Sequence, residues 1–209
     1  MKGIIIGLEI HVQLNTESKL FCKCNSHYHS ATPNTNICEI CTAQPGVKPL
    51  ACNEKALENV IKIANALNSK LVTNSIIMRK HYFYPDLPNN FQRTSQPISM
   101  KGKLENVKLT EIHLEEDPGR YDLHKGTVDL NRAGIPLAEI VTDPEFKSPE
   151  HARKFLDELQ AILQELECVR QESGSMRVDA NISYNGGNRV EVKNINSFRF
   201  VEKAIEFEI

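Results

Sequence analysis

The sequence has no tryptophan, no strong net charge and no long apolar run. Its aromatic side chains are 8 Phe and 5 Tyr among 209 residues. The 25 basic and 27 acidic side chains nearly cancel, which excludes a broadly basic coat for nucleic acid. No segment approaches the roughly 18 consecutive apolar residues of a membrane-spanning helix. The apolar start, 3–8, ends at Glu9 without a cleavage signal. We therefore expect a cytoplasmic protein that does not associate with membranes.

Other absences concern nucleotide binding and domain organisation. No Gly-x-x-x-x-Gly-Lys-Ser/Thr loop is present, so any bound ATP is not held by that type of phosphate cradle. There is no internal repeat, linker or low-complexity segment, and the length suits one large domain over 1–209. Disulfides are rare in the cytoplasm, so the 6 Cys are expected to be metal ligands or core residues.

A strand with two different faces is predicted at the N-terminus. Apolar residues occupy every second position from Ile4 to Leu14, and this period of two is typical of a β-strand. The intervening positions end in Glu9, His11 and Gln13, each about 7 Å from the next. A carboxylate and an imidazole side by side on a rigid strand suit a metal or proton-transfer site. A solvent-facing polar edge has the same pattern.

The remaining pattern predicts an α+β fold with a mainly antiparallel sheet and a few packing helices. Asn53, Ser148 and Ser197 are N-cap candidates, each followed by apolar residues at helical spacing. Strands are predicted near 107–117, 127–131, 137–142, 175–184 and 188–194. Tyr82 and Tyr84 are predicted as core residues, and the alternative is that they line the entrance to a substrate site. The last helix meets no stop signal, so we expect a further domain beyond it.

Two close cysteine pairs predict a structural zinc site. Cys22 and Cys24 are separated by thirteen residues from Cys38 and Cys41, and four thiolates can close a tetrahedral zinc centre. The polar loop 22–41 has too few apolar residues to fold around its own core, so zinc would order it. His27 and His29 are alternative ligands. Cys52 and Cys168 are assigned to packing.

The two C-terminal strands predict a polar wall. If their hairpin has a three-residue loop, polar residues meet polar residues. Asn181 then pairs with Glu191 and Asp179 with Lys193, or each residue pairs one step along. Arg177, on the first of these strands, belongs to the same wall. Two further segments, 112–117 and 137–141, contribute the acids Glu115, Glu116 and Glu139. Carboxylates beside His and basic residues suggest a divalent cation with a phosphate. A charged, solvated sheet face is the alternative interpretation.

Several long motifs, taken in order, resemble the B subunits of the tRNA-dependent amidotransferases. They cover almost the whole chain and lie at 7–14, 33–36, 44–46, 82–88, 113–117, 131–137 and 193–199. The resemblance implies a cradle-shaped catalytic domain similar to that of glutamine synthetase. It also implies ATP-dependent phosphorylation of Glu on tRNA(Gln) or Asp on tRNA(Asn). Ammonia from the amidase, which is the A subunit, would then displace the phosphate, and a small C subunit would tie the two together. The sister archaeal E subunit shares this domain.

Given this resemblance, the residues of the predicted site take specific roles. Magnesium ligands would be His11, Glu139 and either Glu115 or Glu116, because alternation alone does not say which acid points inward, with Glu9 in support. The remaining candidates are Asp179, Asn181 and Glu191 for a second metal or water, and Lys80, Arg177 and Lys193 for phosphates.

The family also implies helical and tail domains that grip the tRNA. We therefore expect 1–209 alone to bind misacylated tRNA weakly and not to complete the reaction. Two other interpretations are a zinc-stabilised docking subunit without catalysis and a zinc-dependent nucleic-acid binder. A nucleic-acid binder would need a surface of basic residues mixed with aromatic ones, and such a mixture occurs in the sequence only at 79–84.

Overall fold

A computed structural model describes residues 3–209, which form three α-helices and eleven β-strands. The helices are α1 (Glu54–Ala66), α2 (Pro149–Glu165) and α3 (Phe198–Glu208). The strands are β1 (Ile4–Gln13), β2 (Lys70–Leu71), β3 (Ile77–His81), β4 (Phe91–Ser95), β5 (Ser99–Leu104), β6 (Val107–Glu116), β7 (Arg120–Asp122), β8 (Thr127–Asp129), β9 (Pro136–Thr142), β10 (Met176–Tyr184) and β11 (Val190–Ile195). The α+β class is confirmed.

One antiparallel sheet organises the chain. Its strands lie in the order β11-β10-β1-β9-β6-β4-β3, while β5 pairs with both β6 and β2. The short hairpin β7–β8 forms a separate sheet. In the main sheet β1 lies between β10 and β9, so three segments distant in sequence are held side by side at its centre. Their side chains therefore share two common faces.

One face of the sheet carries the hydrophobic core and the helices. On β1 the side chains of Ile6, Leu8, Ile10 and Val12 are each at most 1% exposed and belong to one cluster that includes buried residues of all three helices. The predicted alternation is therefore confirmed on this strand, and it leaves Glu9 and His11 on the opposite, helix-free face. The chemistry predicted from the sequence is concentrated on that polar face.

The helices begin where the sequence predicts. The Asn53 side chain accepts a hydrogen bond from the Ala56 amide at 3.1 Å, and Ser148 accepts one from the His151 amide at 3.2 Å. Ser197 is the N-cap of α3 but makes no side-chain capping hydrogen bond. None of the helices within residues 3–209 is long and apolar enough to cross a bilayer.

Some elements were not predicted. Strand β3 is exposed along its whole length, so it has no alternation of buried and exposed positions by which it could be recognised. The core assignment of Tyr84 is wrong, because 55% of this residue is exposed, and its ring makes an edge-to-face contact with that of Tyr121. Tyr82 is partly buried, and its hydroxyl lies 3.4 Å from the Gln92 side-chain oxygen. The exposure of Tyr84 follows from its place in the loop after an edge strand.

Candidate functional site

A histidine and two carboxylates from three neighbouring strands meet at the centre of the polar face. The register places His11 on β1 opposite Glu139 on β9, and β6 brings Glu115 from the other side. The His11 Nε2 atom lies 3.5 Å from Glu139 Oε1 and 3.8 Å from Glu115 Oε2. One ligand atom from each of the three side chains lies within 4.8 Å of the others, which is compact enough to surround one cation. Both acids are buried.

The charges of this group are strongly coupled. Burial by itself lowers the pKa of His11, but the hydrogen bond and charge of Glu139, with the charges of Glu115 and Asp179, outweigh it and raise the pKa. Burial pushes the pKa of Glu139 upward, whereas His11, with the nearby cation Lys80, brings it down to about 2. Burial and the charge of Glu139 raise the pKa of Glu115. Two carboxylates thus face a single imidazole, and the repulsion that disfavours ionisation of Glu115 would be relieved by an added cation.

A second carboxylate group lies beside the first. Glu9 on β1 faces Asp179 on β10, and Glu191 on β11 completes a set whose oxygens all lie within 4.8 Å. Asn181 donates from its Nδ2 to Glu9 Oε1 at 3.1 Å. Its own oxygen, Oδ1, is buried and has no hydrogen-bond partner within residues 3–209. Lys193 reaches this group, with its Nζ 3.6 Å from Asp179 and 3.1 Å from Glu191. The unpaired amide oxygen is a free acceptor in an acidic pocket, as a cation ligand would be.

The predicted register of the C-terminal hairpin is confirmed at Asn181, which pairs with Glu191. The register then shifts by one residue, so that Val178 pairs with Ile195. The irregularity lies at Asn194, whose φ is 59° and whose amide donates to Asp179 Oδ1 at 2.8 Å. The bulge turns this backbone donor toward the acid, and the predicted contact between Asp179 and Lys193 is retained.

The structure separates the two acids that the sequence left open. Glu115 lies on the polar face with His11, whereas Glu116 lies on the other face of β6. There Arg93 Nη1 binds both oxygens of Glu116, at 3.1 and 3.0 Å. Lys80 is exposed at the edge of the same face as Glu115, since it pairs with Gln92, whose side chain reaches Glu115 at 3.3 Å. Glu116 is therefore not part of the cluster around His11.

The four cysteines of the loop meet in one cluster, as the spacing predicts. The sulfurs of Cys22, Cys24, Cys38 and Cys41 lie within 4.8 Å of one another, and two of the separations are 4.0 Å. Four sulfurs bound tetrahedrally to zinc would be about 3.8 Å apart, since each Zn–S bond is about 2.3 Å. This cluster can therefore hold a metal such as zinc. Neither His27 nor His29 belongs to it.

The cluster already favours a thiolate. A hydrogen bond from Cys22 lowers the pKa of Cys41 to about 4 against the opposing effect of burial, and the charge of Lys19 adds to the lowering. The Lys19 ammonium is buried 3.4 Å from the Cys41 sulfur. Burial raises the pKa of Cys24 to about 12. Without a metal, the cluster thus favours a thiolate at Cys41 beside Lys19, and a thiolate is the form in which cysteine binds a metal.

Sequence reasoning missed Asp117, a fully buried acid beside the site. Its side chain is 0% exposed, and it contacts Arg177, Gln13 and Arg132. The only signal in the sequence was its place after Glu115 and Glu116, which does not identify partners in three distant segments. Gln92 was likewise missed because it belongs to a strand that was not predicted.

These observations define an α+β chain with a four-cysteine loop and a sheet face on which histidine and carboxylates can surround divalent cations. Comparison with known proteins identifies the family: the model of the GatB/GatE catalytic domain matches residues 4–209, so the chain belongs to that family.

Similar curated proteins are named as the B subunit of aspartyl/glutamyl-tRNA(Asn/Gln) amidotransferase. The protein from Methanobrevibacter smithii is 56% identical over 207 residues, covering 99% of this chain and 46% of the relative. That from Methanothermobacter thermautotrophicus is 55% identical over 204 residues, covering 97% and 45%. That from Methanopyrus kandleri is 51% identical over 211 residues, covering 100% and 46%. The chain thus spans slightly less than half the length of these relatives.

Proposed function

We propose that this chain supplies the site at which ATP activates a carboxylate in the B subunit of a tRNA-dependent amidotransferase. ATP would phosphorylate the side-chain carboxylate of Glu-tRNA(Gln) or Asp-tRNA(Asn), giving an acyl phosphate and ADP. Ammonia would then form the amide bond and release phosphate. The observation that carries the proposal is the meeting of His11, Glu115 and Glu139 beside a second acidic group on one face of the sheet. The names of the similar proteins agree with this reaction.

The residues present fit a divalent cation. His11, Glu115 and Glu139 would hold Mg²⁺, and Glu9, Asp179 and Glu191, with the unpaired Asn181 oxygen, would hold a second cation or water. Bound Mg²⁺ would neutralise charge on the transferring phosphoryl group.

The cations around these acids have a separate task. Lys80, Arg177 and Lys193 would bind phosphate oxygens and orient the nucleotide for transfer. Oriented donors of this kind stabilise the charge that develops during phosphoryl transfer, because they need not reorganise during the reaction. The carboxylate of the aminoacyl group would approach along the same polar face.

The four-cysteine loop has a structural role in this proposal. Zinc held by Cys22, Cys24, Cys38 and Cys41 would have four protein ligands and no open position, so it would order the loop without taking part in the reaction. Ammonia would come from the amidase A subunit, with the small C subunit joining the two. The tRNA would also contact parts of the protein outside residues 1–209.

The decisive experiment uses the full-length protein in its complex and measures formation of the phosphorylated aminoacyl-tRNA separately from glutamine hydrolysis. Glu139→Gln removes a negative charge at constant size, and His11→Ala removes the imidazole. We expect each to lower phosphorylation at least about a hundredfold, as when a charge-stabilising group is removed, while glutamine hydrolysis partly survives. Glu116→Gln, on the other face of β6, is the matched control and should retain phosphorylation.

Two results would count against this site. Wild-type phosphorylation in both Glu139→Gln and His11→Ala would remove the assignment of these residues. Failure of the wild-type complex to bind Mg-ATP at all would favour a docking subunit without catalysis.

A further inference from the structure

Asp117 is a buried acid that holds three segments of the chain together. Both of its oxygens lie 2.7 Å from Arg177 Nη2, and Oδ2 also accepts from Gln13 Nε2 at 2.7 Å. Arg132 Nε lies 3.7 Å from Oδ1, but its guanidinium donates to the backbone carbonyls of Pro118 and Gly119. Asp117 is thus fully buried yet well compensated, with its strongest contacts made to Arg177.

Arg177 lies directly beside the candidate metal cluster. It is the cross-strand partner of His11 in the pairing of β1 with β10, and the two side chains lie on the same face. Asp117 binds only one nitrogen of its guanidinium. The Nε atom is buried and has no hydrogen-bond partner within residues 3–209. A cationic donor left unpaired in a buried position calls for an acceptor, and an anionic oxygen beside His11 would provide it.

The same acid is linked to the four-cysteine loop. The hydroxyl of Tyr28, which lies between Cys24 and Cys38, is 2.9 Å from Gln13 Nε2, and Gln13 in turn donates to Asp117. Gln13 lies two residues from His11 on the same face of β1. A continuous set of hydrogen bonds therefore runs from the loop through Gln13 and Asp117 to Arg177.

We infer that Asp117 is a positioning residue that fixes Arg177 beside His11 as a binding group for the phosphates of ATP, and that Tyr28 holds this arrangement from the loop side. The inference rests on the proposed function, because it takes ATP as the anion. Asp117 itself touches no substrate. Its role is to remove the freedom of a long cationic side chain before the nucleotide binds, so that less entropy is lost on binding.

The test is steady-state kinetics of the full-length complex with Asp117→Asn. The change keeps the size of the side chain but replaces one acceptor oxygen with an NH₂ group facing Arg177. We expect the KM for ATP to rise at least about tenfold, the factor that corresponds to a lost charge-assisted hydrogen bond, with kcat changed much less. Arg177→Lys should do the same, and the double variant should be no worse than either single one. Tyr28→Phe should give a smaller change in the same direction.

The matched control is Asp129→Asn, which makes the same substitution at another acid. The Asp129 side chain accepts hydrogen bonds from the backbone N–H groups of Asn34 and Asn131, and it is not a partner of Arg177. Its KM for ATP should stay at the wild-type value. A merely structural role for Asp117 would lower the thermal midpoint of Asp117→Asn and leave the KM of the folded protein unchanged, which would overturn the inference.

A crystal structure of the Asp117→Asn complex gives a readout that does not depend on activity. We expect the Arg177 guanidinium to leave its wild-type position, and an unmoved guanidinium would overturn the inference. If the wild-type complex forms no phosphorylated intermediate, the proposed function fails, and the position of Arg177 still decides whether Asp117 fixes it. If the wild type is active and Asp117→Asn matches it, only this inference fails.

Discussion

At the scale of single residues, the ion pair of His11 and Glu139 predicts a defined dependence of stability on pH. The raised pKa of His11 means that the folded state favours its protonated form, so this contribution is full below the ordinary pKa of 6.5 and is lost as pH rises through the raised value. The lowered pKa of Glu139 means that its contribution is full above 4.5 and is lost as pH falls toward about 2.

The expected outcome is that the pair stabilises the fold most between pH 4.5 and 6.5 in magnesium-free buffer. The measurement is the free energy of unfolding of the full-length wild type minus that of His11→Gln across this range. The difference should be greatest inside the window and shrink on both sides. The control is His124→Gln, which removes a histidine outside this pair, at an exposed position in the turn between β7 and β8. A difference that grows above pH 8 would contradict the predicted sign.

At the scale of elements, the four-cysteine loop is expected to depend on its metal. Cys41→Ser removes the cysteine that contacts the other sulfurs and Lys19, so zinc content should fall from about one ion per chain to near zero. A loss of about 2 kcal/mol would lower the thermal midpoint of a domain of roughly 150–250 residues by roughly 4–8 °C, and by less in a longer protein that unfolds as one unit. Cys52→Ser, outside the cluster, should keep its zinc. Metal analysis and thermal unfolding of the full-length protein check both, and equal zinc in the two variants would refute the site.

How well each element could be predicted from the sequence depended on whether local spacing alone determines it. Strands β1 and β10 each have one buried face, so a period of two identified them and placed Glu9, His11 and Asp179 correctly on the polar side. The cysteine cluster followed from spacing within one loop. The edge strand β3 gave no such signal because it is exposed throughout.

Contacts between distant segments could not be predicted in the same way. Asp117 meets Gln13 and Arg177 only because β1 lies between β9 and β10, and a strand order of this kind depends on packing of the whole sheet. For the same reason the choice between Glu115 and Glu116 stayed open. Each side of a strand is equally available to an acid until its neighbours, here His11 and Arg93, are known.

At the scale of the whole molecule, one face of the sheet carries the hydrophobic core and the other carries the candidate site. Ile10 lies between Glu9 and His11 in sequence, but its side chain is 0% exposed in the core. Ile10→Val should therefore cost about 0.5–1.5 kcal/mol of unfolding free energy and leave the KM for ATP unchanged. Glu115→Gln, on the polar face, should instead raise stability and remove the proposed activity.

Glu115 is expected to oppose stability because burial and Glu139 raise its pKa. The folded state therefore disfavours the ionised form of this acid, which is the form that the unfolded chain carries at pH 7. Glu115→Gln keeps an acceptor for Gln92, removes the charge, and should raise the midpoint of urea unfolding in magnesium-free buffer while abolishing phosphorylation. The measurement pairs urea unfolding with the phosphorylation assay on the same full-length protein. Lower stability in Glu115→Gln would mean that the attraction between Glu115 and His11 outweighs the cost of burying this acid beside Glu139, even without a metal. The cluster would then need no added cation, which would count against the candidate cation site.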